Sequence, residues 1–271
     1  MKPFLKLFLI FSFSALACSL PSVISKPPAT STPLAPSTDT TLPATPTATP
    51  KPIDLEHQPL YWFAPLPPQI NAYNGSDDFM DLFEPDAPWD QAASHIQVFK
   101  MYGGWAGADS SEAQLKQAIA AIRQRGLALG VEMGPLYQTD ECGLYIEGFA
   151  GEYGVETVQR IKAAGGDLNL IAFDEPYYYG HFYDGEQACN WTAEKIAQDI
   201  DSFIKGIRVV FPDVLFGDIE PLTGPADAKA YNAWLDTFRE VNGYDLAFLH
   251  LDVDWSDTNW PQKVNAIEAH G

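Results

Sequence analysis

From residue 95 onward the chain repeats one unit: a short run rich in β-branched and aromatic residues, a polar turn, then an amphipathic stretch closed by glycine. Six runs read as strands: 60–64 (LYWFA), 95–102 (HIQVFKMY), 127–133 (LALGVEM), 168–174 (LNLIAFD), 214–220 (VLFGDIE) and 246–254 (LAFLHLDVD). The stretches between them read as helices. One carries Leu115, Ala118, Ile119 and Ile122 on one face, with Asp109 and Glu112 bracketing a capping box and Gly126 closing it. A second, near 154–164, stops at Gly165-Gly166. Thr192 caps a third, which carries Ile196, Ile200, Phe203, Ile204 and Ile207. A fourth presents Tyr231, Trp234, Leu235 and Phe238 and ends before Gly243, and Pro261 opens a last one.

Strands alternating with helices build a parallel sheet. A doubly wound sheet offers a Gly-rich phosphate loop after its first strand. Gly103-Gly104 and Gly107 do not make that fingerprint, so no nucleotide cofactor is implied. A TIM-type (β/α)8 barrel instead gathers polar residues at the C-terminal ends of many strands, and that is the pattern here. The expected fold class is therefore α/β, a (β/α)8 barrel. Six strands fall short of eight, which leads us to expect a barrel truncated after about six βα units.

Carboxylates collect at the strand ends. By period 2, His250, Asp252 and Asp254 share one face of the sixth strand, opposite Leu249, Leu251 and Val253. Asp218 and Glu220 share a face of the fifth, and we expect both polar faces to point into the barrel. Glu132 ends the third strand, and Asp174 and Glu175 end the fourth. Crowded carboxylates raise one another's pKa values, which places a protonated acid beside an ionised base; acid-plus-carboxylate pairs carry out glycoside hydrolysis. Aromatics share these loops: Tyr102 and Trp105, Tyr137, Tyr177 to Tyr179, and Trp255. Flat rings beside acids suit the C–H faces of sugars.

At Phe173-Asp174-Glu175-Pro176 the sequence resembles the large (β/α)8 glycoside hydrolase superfamily, in which Asn-Glu-Pro ends strand 4 and its Glu is the acid/base. The resemblance implies that Glu175 is the acid/base, with Asp174 standing where the family has Asn. Its nucleophile belongs to a seventh strand, which this chain does not supply. The expected catalytic group is Glu175, Asp174, Glu220 and Asp218, with Glu132, Tyr102, Trp105, Tyr137, Tyr177, His250, Asp252, Asp254 and Trp255 binding substrate. Two alternatives stay open: a metal-dependent sugar-processing barrel using His250, Asp252, Asp254, Glu132 and Asp218, and a non-catalytic carbohydrate-binding protein.

The N-terminal fifth has another character. Lys2 and Lys6 precede an apolar run, and Ser14-Ala15-Leu16-Ala17-Cys18 resembles the lipobox of bacterial lipoprotein signal peptides. That implies residues 1–17 as a signal peptide, lipidation of Cys18 and an extracytoplasmic protein anchored to a bacterial membrane by lipid alone. Nine of residues 19–52 are Pro and eight Thr, with no aromatic, so 18–52 reads as a disordered stalk. The remaining domain, 53–271, holds 12 basic and 35 acidic residues, net −23. Such a surface excludes nucleic acid as a partner and suits a neutral carbohydrate. Cys142 and Cys189 fall in loops after neighbouring strands, where an exported protein pairs them in a disulfide.

Overall fold

The computed structural model describes residues 60–68 and 77–270; the expected signal peptide, Cys18 and stalk lie outside them. All six strands form: β1 (Trp62–Phe63), β2 (Val98–Tyr102), β3 (Ala128–Met133), β4 (Leu168–Asp174), β5 (Leu215–Pro221) and β6 (Leu249–Asp252). Every adjacent pair is parallel and the sheet order is β1-β2-β3-β4-β5-β6. The α-helices are α1 (Asp90–Ala93), α2 (Glu112–Gln124), α3 (Gly151–Ala163), α4 (Ala193–Arg208), α5 (Ala228–Asn242) and α6 (Trp260–Glu268). An order that follows the sequence without reversal is the order of a (β/α) barrel and not of a doubly wound sheet.

The sheet is curled into a half-barrel. Six flat strands would hold their edges roughly 24 Å apart at about 4.8 Å per step. Instead the Trp62 ring of β1 lies 5.2 Å from Phe248 and 4.7 Å from His250 of β6. Trp62, Val98, Ala128, Leu170, Leu215 and Phe248 form one apolar layer inside the curl. Small residues make room for the large ones: a Cβ on Gly217 would sit 2.3 Å from the Phe248 ring. The opposite face, with Phe99, Met101, Leu129, Val131, Ile171, Phe173 and Phe216, packs under the helices in a second and larger core.

Local signals decide the helix ends. Ser111 caps α2: its hydroxyl accepts from Gln114 N (3.2 Å), and the Gln114 side chain accepts from Ser111 N (2.9 Å). The capping box is thus Ser111/Gln114 rather than Asp109/Glu112; Asp109 belongs to a π-turn, Trp105–Asp109, that precedes the cap. Thr192 caps α4 as expected, accepting from Lys195 N. Gly243 ends α5 in the left-handed conformation (φ 76°).

The α3–α4 contact depends on one missing methyl. A Cβ on Gly154 would lie 2.2 Å from the ring of Phe203, which is fully buried. Helix propensity alone favours Gly154→Ala by about 1 kcal/mol. The overlap outweighs it, and we expect that substitution to destabilise the domain by about 1–3 kcal/mol in urea unfolding; a stabilised variant would refute this packing.

Candidate active site

The parallel order places the C-terminal ends of all six strands on one rim. Inside the curl, Lys100 and Tyr102 of β2, Glu132 of β3 and Asp174 of β4 alternate with the apolar layer and point the same way as Val98, Ala128 and Leu170. Lys100 and Glu132, each 11% exposed, form an ion pair. Beside them opens a cavity of about 510 Å³, lined by Tyr102, Trp105, Glu132, Tyr153, Thr157 and Asp174, with Gly103, Gly104, Gly107 and Gly134 thinning its walls. That is an ordinary volume for a small-molecule site. Arg160 of α3 braces one wall by donating to Ala106 O, Ser110 O and Ser110 Oγ around the π-turn.

Two adjacent carboxyl groups here resist ionisation. Burial, then the charges of Glu132, Glu147 and Glu175, push Asp174 up to about 8 against the pull of Lys100. Burial, then Glu147, Asp252 and Glu132, push Glu175 up to about 7. Tyr102 is pushed up to about 12 by burial and by Glu132, Asp174 and Asp252. Asp252 ends β6 and is exposed, yet its charge is felt at both β2 and β4. The curl therefore brings the carboxylates of β3, β4 and β6 into one electrostatic cluster.

Glu175 adopts φ 50°, a left-handed conformation unusual for a residue with a side chain. Its N–H donates to Ile219 O (3.1 Å), and its carbonyl accepts from Tyr179 N (3.1 Å) at the start of a second π-turn, Tyr178–Phe182. Single π-turns recur at functional sites, and this chain carries one after β2 and one after β4.

Sequence reasoning missed Glu147. It sits in the loop after β3, raises both Asp174 and Glu175, and hydrogen-bonds Tyr179, whose hydroxyl is pushed up by burial and by that contact. Gly148 (φ 82°) lets the loop approach: a Cβ there would lie 3.0 Å from Asp174 O. The Cys142–Cys189 disulfide forms and ties this loop to the one after β4, joined by Gly143 N donating to Gln187 O (2.9 Å). A glycine pressed against a strand end was the available signal.

The fifth strand corrects the expected orientation. Asp218 and Glu220 share a face, but it is the helix-facing one: Leu215, Gly217 and Ile219 line the interior. Both carboxylates are 0% exposed. Asp218 Oδ2 accepts from Trp234 Nε1 of α5 (2.8 Å). Glu220 accepts from Tyr177 N (2.7 Å) and Tyr178 N (3.0 Å). Neither reaches the cavity, so the expected catalytic contact with substrate is withdrawn for both. Period 2 sorts residues into two faces without saying which face is inside, and here Trp234 and two backbone N–H groups make the helix side the polar one.

The aromatics divide similarly. Tyr102 lines the cavity; Trp105 does too, although it is 3% exposed and packed on Phe79. Tyr177 is buried, stacked between His181 and Trp234, and is not a ligand platform. Tyr137 lies by Asp199 and Glu152, away from the cluster. Trp255 is exposed against Trp260, and Asp254 is exposed and caps Ser256. His250 is held inside the curl against Trp62, pushed down to about 4 by burial and Lys100. The proposed metal ligands are not brought together: Asp218 lies across the sheet from His250 and Asp254 turns outward. Among the described residues no group of three or more His, Cys, Asp or Glu is placed to hold a metal ion.

No protein-family model matches the chain, and no curated protein sequence matches it. Among solved structures it is similar to D-psicose 3-epimerase in the presence of D-fructose, at 9% identity over 77% of this chain and 69% of that one (TM-score 0.46). It is similar to morphinone reductase in complex with tetrahydroNAD at 13% identity over 69% and 68% (TM-score 0.42). Against the carboxyl transferase domain of Rhizobium etli pyruvate carboxylase the identity is 11% over 70% of this chain (TM-score 0.40), and the chain spans 26% of that structure's length.

Stability should follow the buried acids. For Asp174, Glu175, Asp218 and Glu220 the folded-state pKa lies above the unfolded one, so the folded protein binds more protons. Their contribution is complete below the unfolded carboxylate range of about 4 and is lost as pH rises through the folded values. We expect the melting temperature to fall between pH 5 and pH 8, and less steeply in Asp174→Asn. A melting temperature that rises across that interval would contradict these shifts.

Proposed function

We propose that the domain is a carbohydrate-processing enzyme of glycoside hydrolase type, acting on a neutral poly- or oligosaccharide and tethered outside a bacterial cell through a lipidated Cys18. The observation that carries this reading is the pair of acids at the end of β4, both pushed up by burial and neighbouring carboxylates: Asp174 lines the open cavity beside the ion-paired Glu132, and Glu175 follows it in the chain without lining the cavity.

In this reading Glu175 is the general acid. Its value of about 7 lets it hold a proton at neutral pH and release it to a leaving glycosidic oxygen. Glu132, charged and anchored by Lys100, stabilises the positive charge that develops on the sugar ring. Asp174 stays protonated and donates a hydrogen bond to a sugar hydroxyl, a task that an Asn at this position would also perform. The acidic rim repels polyanions and leaves neutral sugars as the favoured class.

The test is turnover of neutral oligosaccharides by the full chain. Glu175→Gln should lower kcat by roughly 10²-fold or more. Because the acid must hold its proton, the wild-type rate should decline as pH rises past about 7, and this limb should vanish in the variant. Sugar binding without turnover would replace the enzyme reading with the binding-protein one.

A further inference from the structure

Asp218 and Glu220 are buried, touch no ligand and are left without a task by the chemistry above. No lysine or arginine among the described residues pairs with either, although both are 0% exposed. Two ionised carboxylates buried side by side without a cation are prohibitively costly. Glu220 spends both oxygens on backbone N–H groups, which favours its ionised form. Asp218 uses Oδ2 to accept from Trp234; its buried Oδ1 meets no donor at good hydrogen-bond geometry, the Ile219 N–H acting on the carboxyl only weakly, and the Asp218 side chain lies within hydrogen-bonding reach of Glu220. An oxygen in that position is accounted for if it carries the proton and is itself the donor.

We propose that Asp218 and Glu220 share one proton, and that the pair is a positioning device: Asp218 holds Glu220, and Glu220 clamps the N–H groups of Tyr177 and Tyr178 and so fixes the strained turn that presents Glu175.

The clamp lies two and three residues beyond Glu175, with Pro176 between. Glu175 N is bonded to Ile219 O, midway between Asp218 and Glu220, so β5 grips the segment on both sides of Pro176. The groups facing the pair are Glu175 from the end of β4, Tyr177 from the turn, and Tyr231 and Trp234 from α5. None of the titratable ones among them is a cation, so nothing there competes for Glu220; after burial, the Glu175 charge opposes loss of the shared proton, while the N–H groups of Trp234, Tyr177 and Tyr178 favour the ionised forms. Burial raises both carboxyls in the same direction.

The reporter is built in, because Trp234 Nε1–H donates to Asp218. The indole ¹H–¹⁵N resonance of Trp234, assigned by its absence from Trp234→Phe, should step with pH well above the usual carboxylate range. The step should persist in Glu175→Gln and disappear in Asp218→Asn, whose amide supplies the same donor and acceptor permanently. A flat wild-type profile, a step that survives Asp218→Asn, or one lost in Glu175→Gln overturns the shared proton. For the clamp, Glu220→Gln should speed amide exchange at Tyr177 and Tyr178 by at least about tenfold while that of β2 stays unchanged; unchanged exchange at these two amides overturns it. Should Glu220→Gln fail to fold, amide exchange in wild-type protein decides: these two amides should lose protection as pH passes the Trp234 step, and retained protection overturns the clamp.

These arms need no substrate. A last arm rests on the reading of Glu175 as the general acid: Glu220→Gln should lower kcat about tenfold or more with KM changed less than about twofold. Absence of turnover in the wild type would remove the hydrolase reading while leaving the resonance and exchange results to judge the pair.

Discussion

Burial of negative charge at one end of a parallel sheet is the constraint around which this domain is organised. A sequentially ordered parallel sheet puts every strand's C-terminal end on one rim, and this chain places acids on β3, β4, β5 and β6. At β3 the answer is an ion pair with Lys100. At β4 it is retention of protons on Asp174 and Glu175. At β5 it is withdrawal to the far side of the sheet, where an indole N–H and two backbone N–H groups take the place of water. At β6 Asp252 stays in solvent. Each solution is different chemistry, and together they sort one composition into a cluster inside the curl and a buried pair on the helix side.

The curl turns that sorting into a site. Contact of Trp62 with Phe248 and His250 brings the two edge strands face to face, so that Asp252 on β6 raises Tyr102 on β2. The disulfide and Gly148 then press the Glu147 loop against the end of β4, adding a charge that, after burial, pushes Glu175 further up. The site is therefore assembled by long-range packing, although its residues come from short local segments.

Much of this was legible in the sequence. The six strands, their parallel order and the caps at Thr192 and Gly243 follow from local period and turn chemistry. Asp174, Glu175, Glu132 and Tyr102 were recognisable because they end strands, and Cys142 and Cys189 because their loops are neighbours. What escaped was set by partners remote in sequence. The inside of β5 depends on where Trp234 and the Tyr177–Tyr178 amides lie, which alternation along one strand does not encode. Tyr177 looked like a ligand platform because its burial between His181 and Trp234 is a tertiary fact. Glu147 lies in a loop with no periodicity, and only the fold of the disulfide-tied segment brings it to the cluster.

The central claim is that the acids ending β4 keep their protons near neutral pH because burial and neighbouring carboxylates make ionisation costly. Direct titration of their carboxyl carbons by ¹³C NMR in the full chain tests it. The account predicts midpoints near 7 for Glu175 and 8 for Asp174. Midpoints for both in the ordinary carboxylate range, about 4, would contradict it.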